Sequence, residues 1–140
     1  MRGHVGLREL AIDLERGSGG VWRQDGRPLE AFPMDGGERA PADIDLGFTP
    51  ATNTNALRRM ELKVGQAART TALWLDTEDW SLKPLTQTYE RLSETVYRYR
   101  SPRHAYEAEL SVDPFGIVLD YPGLWGIETL TEQSGQQSDN

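Results

Sequence analysis

The sequence contains no cysteine. That excludes disulfides, thiol nucleophiles and cysteine-ligated zinc. Histidine is scarce, with only His4 and His104 present. A Ser-His-Asp triad needs a histidine oriented by a partner, and neither residue has one in view in the sequence. His104 reads as an exposed turn residue. Any metal site would rest on oxygen ligands alone. Positive charge is in deficit, at 15 basic against 22 acidic residues and a net charge of −7. Nucleic acids are bound by neutralising phosphates, so no nucleic-acid partner is expected. No run of about 18 apolar residues exists, so no helix is expected to span a membrane. The first ten residues lack the apolar centre of a signal peptide, which makes the cytoplasm the default location. No nucleophile elbow, phosphate loop or dinucleotide fingerprint occurs, and no cofactor is expected.

What is present is β pattern. The 140 residues suffice for one domain with a core. Residues 96–100, 105–112 and 117–121 alternate apolar and polar side chains, the strand period. Ser101–His104 and Asp113–Gly116 separate them with turn chemistry. A three-stranded antiparallel meander follows. Four-residue loops place Tyr99 opposite Tyr106, Leu110 opposite Leu119 and Glu109 opposite Asp120. One face then carries Tyr97, Tyr99, Tyr106, Ala108, Leu110, Val112, Ile117, Leu119 and Tyr121. The other carries Arg98, Arg100, Glu107, Glu109, Ser111 and Asp120, plus Val118. Such a sheet buries one face and wets the other.

Upstream, residues 7–16 alternate as a strand, although their Leu, Glu and Arg also favour a helix, and Val21 to Gly26 read as the return arm of a hairpin. Residues 27–42 read as a loop with its tip at Asp35–Gly37. Residues 43–60 are rich in Thr and Asn, which suggests an irregular segment bonding its own backbone. Residues 61–64 and 68–75 read as strands, Asp76–Asp79 as a turn, and Ser81–Tyr89 as a strand with Pro84 at an edge or bend. In residues 68–75, Trp74 shares its side with Ala68, Thr70 and Ala72. Those small neighbours leave space, as a cavity wall requires. The domain is expected over 7–127, after a loose N-terminus at 1–6 and before a disordered polar tail at 128–140.

Asp43-Ile44-Asp45-Leu46, Thr49-Pro50-Ala51-Thr52-Asn53-Thr54 and Arg58-Arg59 together resemble the signature of the putative glycolipid-binding family, a bacterial domain of formerly unknown function. Val21-Trp22-Arg23 with Asp25-Gly26, Leu73-Trp74-Leu75 and Tyr121-Pro122-Gly123-Leu124-Trp125 fit it in order. The family usually continues Asn-Thr-Leu-Pro-Ile where this chain has Asn55-Ala56-Leu57. Its domains also begin with further strands that have no counterpart before Met1, so either an N-terminally shortened form or a misplaced start is expected.

The resemblance implies a β-barrel, or clam-like curved sheet, likened to lipoprotein carriers. The expected fold is therefore all-β, a curved antiparallel sheet forming a partial or closed barrel. The expected function is non-enzymatic binding of a lipid or glycolipid. Acyl chains would lie against Trp74, Tyr97, Tyr99, Tyr106, Leu110 and Leu119. The head group would meet Thr49, Thr52, Asn53, Arg58 and Arg59. Asp43 and Asp45 are expected to cap the loop or pair with Arg58 or Arg59 rather than hold a metal. One alternative is a structural domain whose apolar face is only core or the interface of a homodimer. Another is a sugar-lipid hydrolase or transferase acting through Asp43, Asp45 or Glu109.

Overall fold

The computed structural model describes residues 2–5, 10–17, 21–29, 41–47, 49–123 and 125–126. The expected loop tip at Asp35–Gly37 and the polar tail at 128–140 lie outside the described residues. The chain is mostly β. A four-stranded antiparallel sheet runs in order through β1 (Arg2–Val5), β2 (Leu10–Arg16), β3 (Trp22–Gln24) and β4 (Arg27–Pro28). Residues 2–5, expected to be loose, instead pair with β2, Arg2 opposite Asp13 and Val5 opposite Leu10. The hairpin of β2 and β3 pairs Leu14 with Gln24. Arg27 and Pro28, read as loop, close the sheet as a two-residue strand beyond the Asp25–Gly26 turn.

The second sheet has seven strands and curls into a half-barrel. It comprises β5 (Asp43–Asp45), β6 (Ala67–Asp76), β7 (Ser81–Arg91), β8 (Val96–Ser101), β9 (Tyr106–Val112), β10 (Val118–Tyr121) and β11 (Trp125–Gly126), neighbours in that order. It is not wholly antiparallel: β5 pairs with β6 in parallel, Asp45 beside Trp74. A parallel pair needs a crossover, and the crossover here contains a helix, α1 (Ala51–Met60).

That helix corrects two expectations. Residues 51–60 are not irregular, and residues 61–64 are not a strand. Pro50, at φ −72°, sits where a proline ring presets the helical turn rather than ending a ladder. Arg58 and Arg59 fall in the last turn, where positive charge suits the helix dipole. Glu61 closes it in the left-handed conformation, its N–H donating to the Leu57 carbonyl. The Thr and Asn side chains find partners across the fold. Asn53 Nδ2 donates to the Tyr89 hydroxyl at 2.8 Å. Thr54 Oγ1 accepts from the Val118 N–H at 3.1 Å. Thr52 does bond local backbone, its hydroxyl donating to the Thr49 carbonyl at 3.0 Å.

The meander forms with two changes of register. Tyr99 faces Ala108, not Tyr106, because Ser101 and Tyr106 pair and the loop spans 102–105. The shift is two residues, so both faces survive. The outer face becomes a ladder in which Arg98 opposes Glu109 and Arg100 opposes Glu107. In the second hairpin, Val118 faces Val112 and Asp120 faces Ser111 across a bulge. The Asp113 carboxylate accepts from the N–H groups of Phe115 and Ile117, at 2.9 and 2.8 Å, and takes Ile117 into the turn. One extra turn residue inverts the alternation. Val118 is therefore buried, whereas Ile117 and Leu119 are exposed. Glu109 and Asp120 are not opposite one another.

The concave face is packed, not hollow, over much of its length. Tyr89, Tyr97, Tyr99, Leu110, Val112, Val118 and Tyr121 form one buried cluster with Ala56, Leu57 and Leu62. On the opposite face of β5 and β6, Ile44, Leu73 and Leu75 are buried too. Pro84 stands in β7 opposite Leu73, on a stretch that pairs with β6 but not with β8.

Candidate functional site

At one end of the packed interior lies a pocket of about 230 Å³. Its wall is built by alternation. Asp45 on β5, Trp74 on β6 and Leu85 on β7 share the inner face, since Asp45 adjoins Trp74 and Leu85 opposes Ala72. Tyr99 and Ser101 come from β8, and Tyr106 from β9. The head of α1 contributes Asn53, with Thr49 and Pro50 just before it. His104, in the short 3-10 turn Pro102–His104, and Tyr121 complete the lining.

A buried polar chain runs behind this wall. Asn53 donates to Tyr89, whose hydroxyl donates to Gln87 Oε1 at 3.3 Å. Gln87 Nε2 then donates to Asp45 Oδ2 at 2.6 Å and to the Tyr99 hydroxyl at 3.0 Å. Gln87 is only 2% exposed, so each of its polar atoms needs such a partner. Asp45 Oδ1 accepts from the Gly47 N–H at 2.8 Å. Burial raises the Asp45 pKa above the usual carboxylate range, opposed by its bonds from Gly47 and Gln87 and by the nearby His104. Burial also pushes the Tyr99 hydroxyl up to about 12.

At the rim, the His104 ring meets Trp74 edge-on, with centroids 4.8 Å apart. Its Nδ1 lies 3.1 Å from Ser101 Oγ. His104 is exposed, as its turn position suggested, but it does have partners. The Lys83 ammonium and Arg103 guanidinium each lie 5.9 Å from the Trp74 ring centroid. Tyr106 and Tyr121 stack at 5.7 Å, and the Tyr106 hydroxyl donates to the Pro122 carbonyl.

Of the residues expected to bind ligand, Thr49, Asn53, Trp74, Tyr99 and Tyr106 line the pocket. Thr52 is buried beside it as a brace for the head of α1. Tyr97 and Leu110 are core, packed away from the pocket. Leu119 lies outside on the surface, through the extra turn residue described above. Arg59 is committed to Asp43 by a two-pronged pair, with the shortest contact at 2.6 Å. That is one of the pairings expected of the acidic motif. Arg58 lies instead near the Phe115 turn, lining a separate groove with Leu57, Tyr97 and Val112.

The sequence reading missed Asp45, Ser101, His104 and Tyr121 as pocket residues. For Tyr121 the alternation already placed it on the correct face. For Asp45 the spacing from Asp43 implied a shared face, but not that only Asp43 would meet an arginine. For His104 the local sequence offered Ser101, three residues upstream, but not Trp74, which comes from β6.

Among the described residues, no group of three or more His, Asp or Glu side chains is placed to hold a metal ion. No described helix is long and apolar enough to cross a membrane, which leaves β-barrel spans unaddressed.

A search of curated proteins finds no match. Among solved structures, the chain is similar to a DUF1089 family protein from Pseudomonas aeruginosa, with a TM-score of 0.73 and 33% sequence identity. The alignment covers 85% of this chain and 62% of that one, so this chain spans less than two thirds of its neighbour's length. A family model described as "Putative glycolipid-binding" matches residues 1–126, and the chain belongs to that family.

Proposed function

We propose that this protein binds an amphipathic ligand of the glycolipid class by its head group, without chemistry, in the pocket between α1 and the curled sheet. The observation that carries this reading is where the free space lies. The apolar interior around Tyr97 and Leu110 is filled by side chains. A pocket opens instead among Asp45, Asn53, Trp74 and Tyr106, apart from the groove that Arg58 and Tyr97 line beside the Phe115 turn. At about 230 Å³ it is smaller than the roughly 300–1,000 Å³ of a site that encloses a drug-sized ligand. One ring fits this space better than a pair of acyl chains. Indole and phenol rings suit the apolar face of a sugar, and Asp45 and Asn53 offer polar atoms to its hydroxyls. Among the described residues Asp45 is the one carboxylate in the lining, whereas glycoside hydrolysis usually employs two.

The test is co-sedimentation with phosphatidylglycerol vesicles, with and without a monoglycosyl diacylglycerol. Binding is expected only when the glycolipid is present, and Trp74→Ala should weaken it about tenfold by removing the largest ring of the wall. Equal binding to both vesicle types would defeat the proposal.

A further inference from the structure

We propose that the pocket selects a head group bearing an organic ammonium group, set against Asp45 among the surrounding aromatic rings. This rests on the reading that the pocket receives a head group.

The argument begins with two carboxylates on one strand. Asp43 and Asp45 project from the same face of β5, two residues apart. Arg59 answers Asp43 with a two-pronged pair. Asp45 is held instead by neutral donors, the Gly47 N–H and Gln87 Nε2. Among the described residues no lysine or arginine pairs with it, and His104 is the nearby titratable base. Asp45 is half-buried; a carboxylate partly withdrawn from water without a full counter-charge carries a cost, which is relieved when a cation arrives. Its burial already disfavours the charged form.

The rest of the lining suits such a cation. Trp74, Tyr99, Tyr106 and Tyr121 supply aromatic rings, whose faces attract organic ammonium groups. Trp74 already draws two of the protein's own cations, Lys83 and Arg103. Lys83 is matched by Asp76 and Asp79, at 2.6 and 2.8 Å, and so leaves Asp45 unanswered. A neutral sugar would touch the same walls and leave that charge as it was. The ammonium could belong to an amino sugar or to a choline-type head group, which share this chemistry.

The test is a ligand-observed NMR titration of the full chain with glucosamine, N-acetylglucosamine, glucose and choline. Glucosamine is expected to bind about tenfold or more tightly than the two neutral sugars, the worth of a charge-assisted contact. Asp45→Asn keeps an acceptor for Gly47 and removes the charge, so the preference should vanish. Should that variant fail to fold, the ligand series on the natural chain decides alone. Equal affinity for glucose and glucosamine would overturn the ammonium assignment and leave the sugar reading standing. Choline binding without any sugar binding would support the ammonium and overturn the sugar. Binding by none of the four would overturn both.

Discussion

Gly47 occupies a position that glycine alone suits. Its φ is +69°, where other L-residues are strained, and a Cβ there would stand 3.1 Å from both the Leu75 carbonyl oxygen and Trp74 Nε1. Its N–H also orients the Asp45 carboxylate. Backbone strain and a crowded indole thus fall on one substitution. Gly47→Ala is expected to cost about 1–3 kcal/mol in urea unfolding, from the left-handed backbone alone. The change should also shift Trp74 and so perturb its side-chain indole N–H signal. A variant as stable as the natural chain, with that signal unmoved, would show that the close approach is not real. Asp43 and Asp45 make the complementary point. Their spacing put them on one face, but only the fold could bring Arg59 to one and Gln87 to the other.

The element that departs most from its sequence pattern is α1. Thr52, Asn53 and Thr54 are poor helix formers because their side chains compete for local backbone. Here two of the three bond across the fold, and the head of the helix is buried against the sheet. Asn53 and Tyr89 form the pin between helix and β7. Tyr89→Phe and Asn53→Ala should each cost about 1–3 kcal/mol, since each strips a partner from a buried polar group. The double variant should cost clearly less than the sum, as expected of a shared bond. Strict additivity in denaturant titrations would mean that the two side chains act independently. This also explains why the strands were legible and the helix was not. A strand facing a core writes its period into its own residues, as β8 and β9 do. A helix whose first turn is polar and held by distant partners writes only a short apolar stripe, here Ala56, Leu57 and Met60. The extra residue in the β9–β10 turn was hidden for a related reason. It depends on which N–H groups the Asp113 carboxylate captures, and that choice moved Leu119 off the inner face.

Tyr89, Tyr99 and Tyr121 belong to one interior cluster and Tyr106 packs against it, so the molecule carries its own alkaline reporter. Tyr89, Tyr99, Tyr106 and Tyr121 have pKa values raised, first of all by burial, and the Tyr99 hydroxyl reaches about 12. The sign follows from proton counting. An unfolded tyrosine ionises near 10, so between about pH 10 and 12 the unfolded chain sheds protons that the native chain retains. Stability is complete below pH 10 and falls as pH rises toward the folded values. Tyr99 alone accounts for a loss of roughly 2 kcal/mol by pH 12. Three more raised tyrosines deepen that loss, which is large beside the roughly 5–15 kcal/mol that holds a typical domain. Phenolate absorbance should therefore lag behind that of free tyrosine above pH 10. It should then rise in one cooperative step that coincides with loss of the far-ultraviolet β signal. Tyr99→Phe should shift that step to higher pH wherever its lost hydrogen bonds cost less than the proton linkage it removes. Tyrosines that titrate smoothly near pH 10, with the β signal intact, would mean that the rings are open to water. The half-barrel would then hold a larger free volume than the packed interior described here, and a site for acyl chains would return.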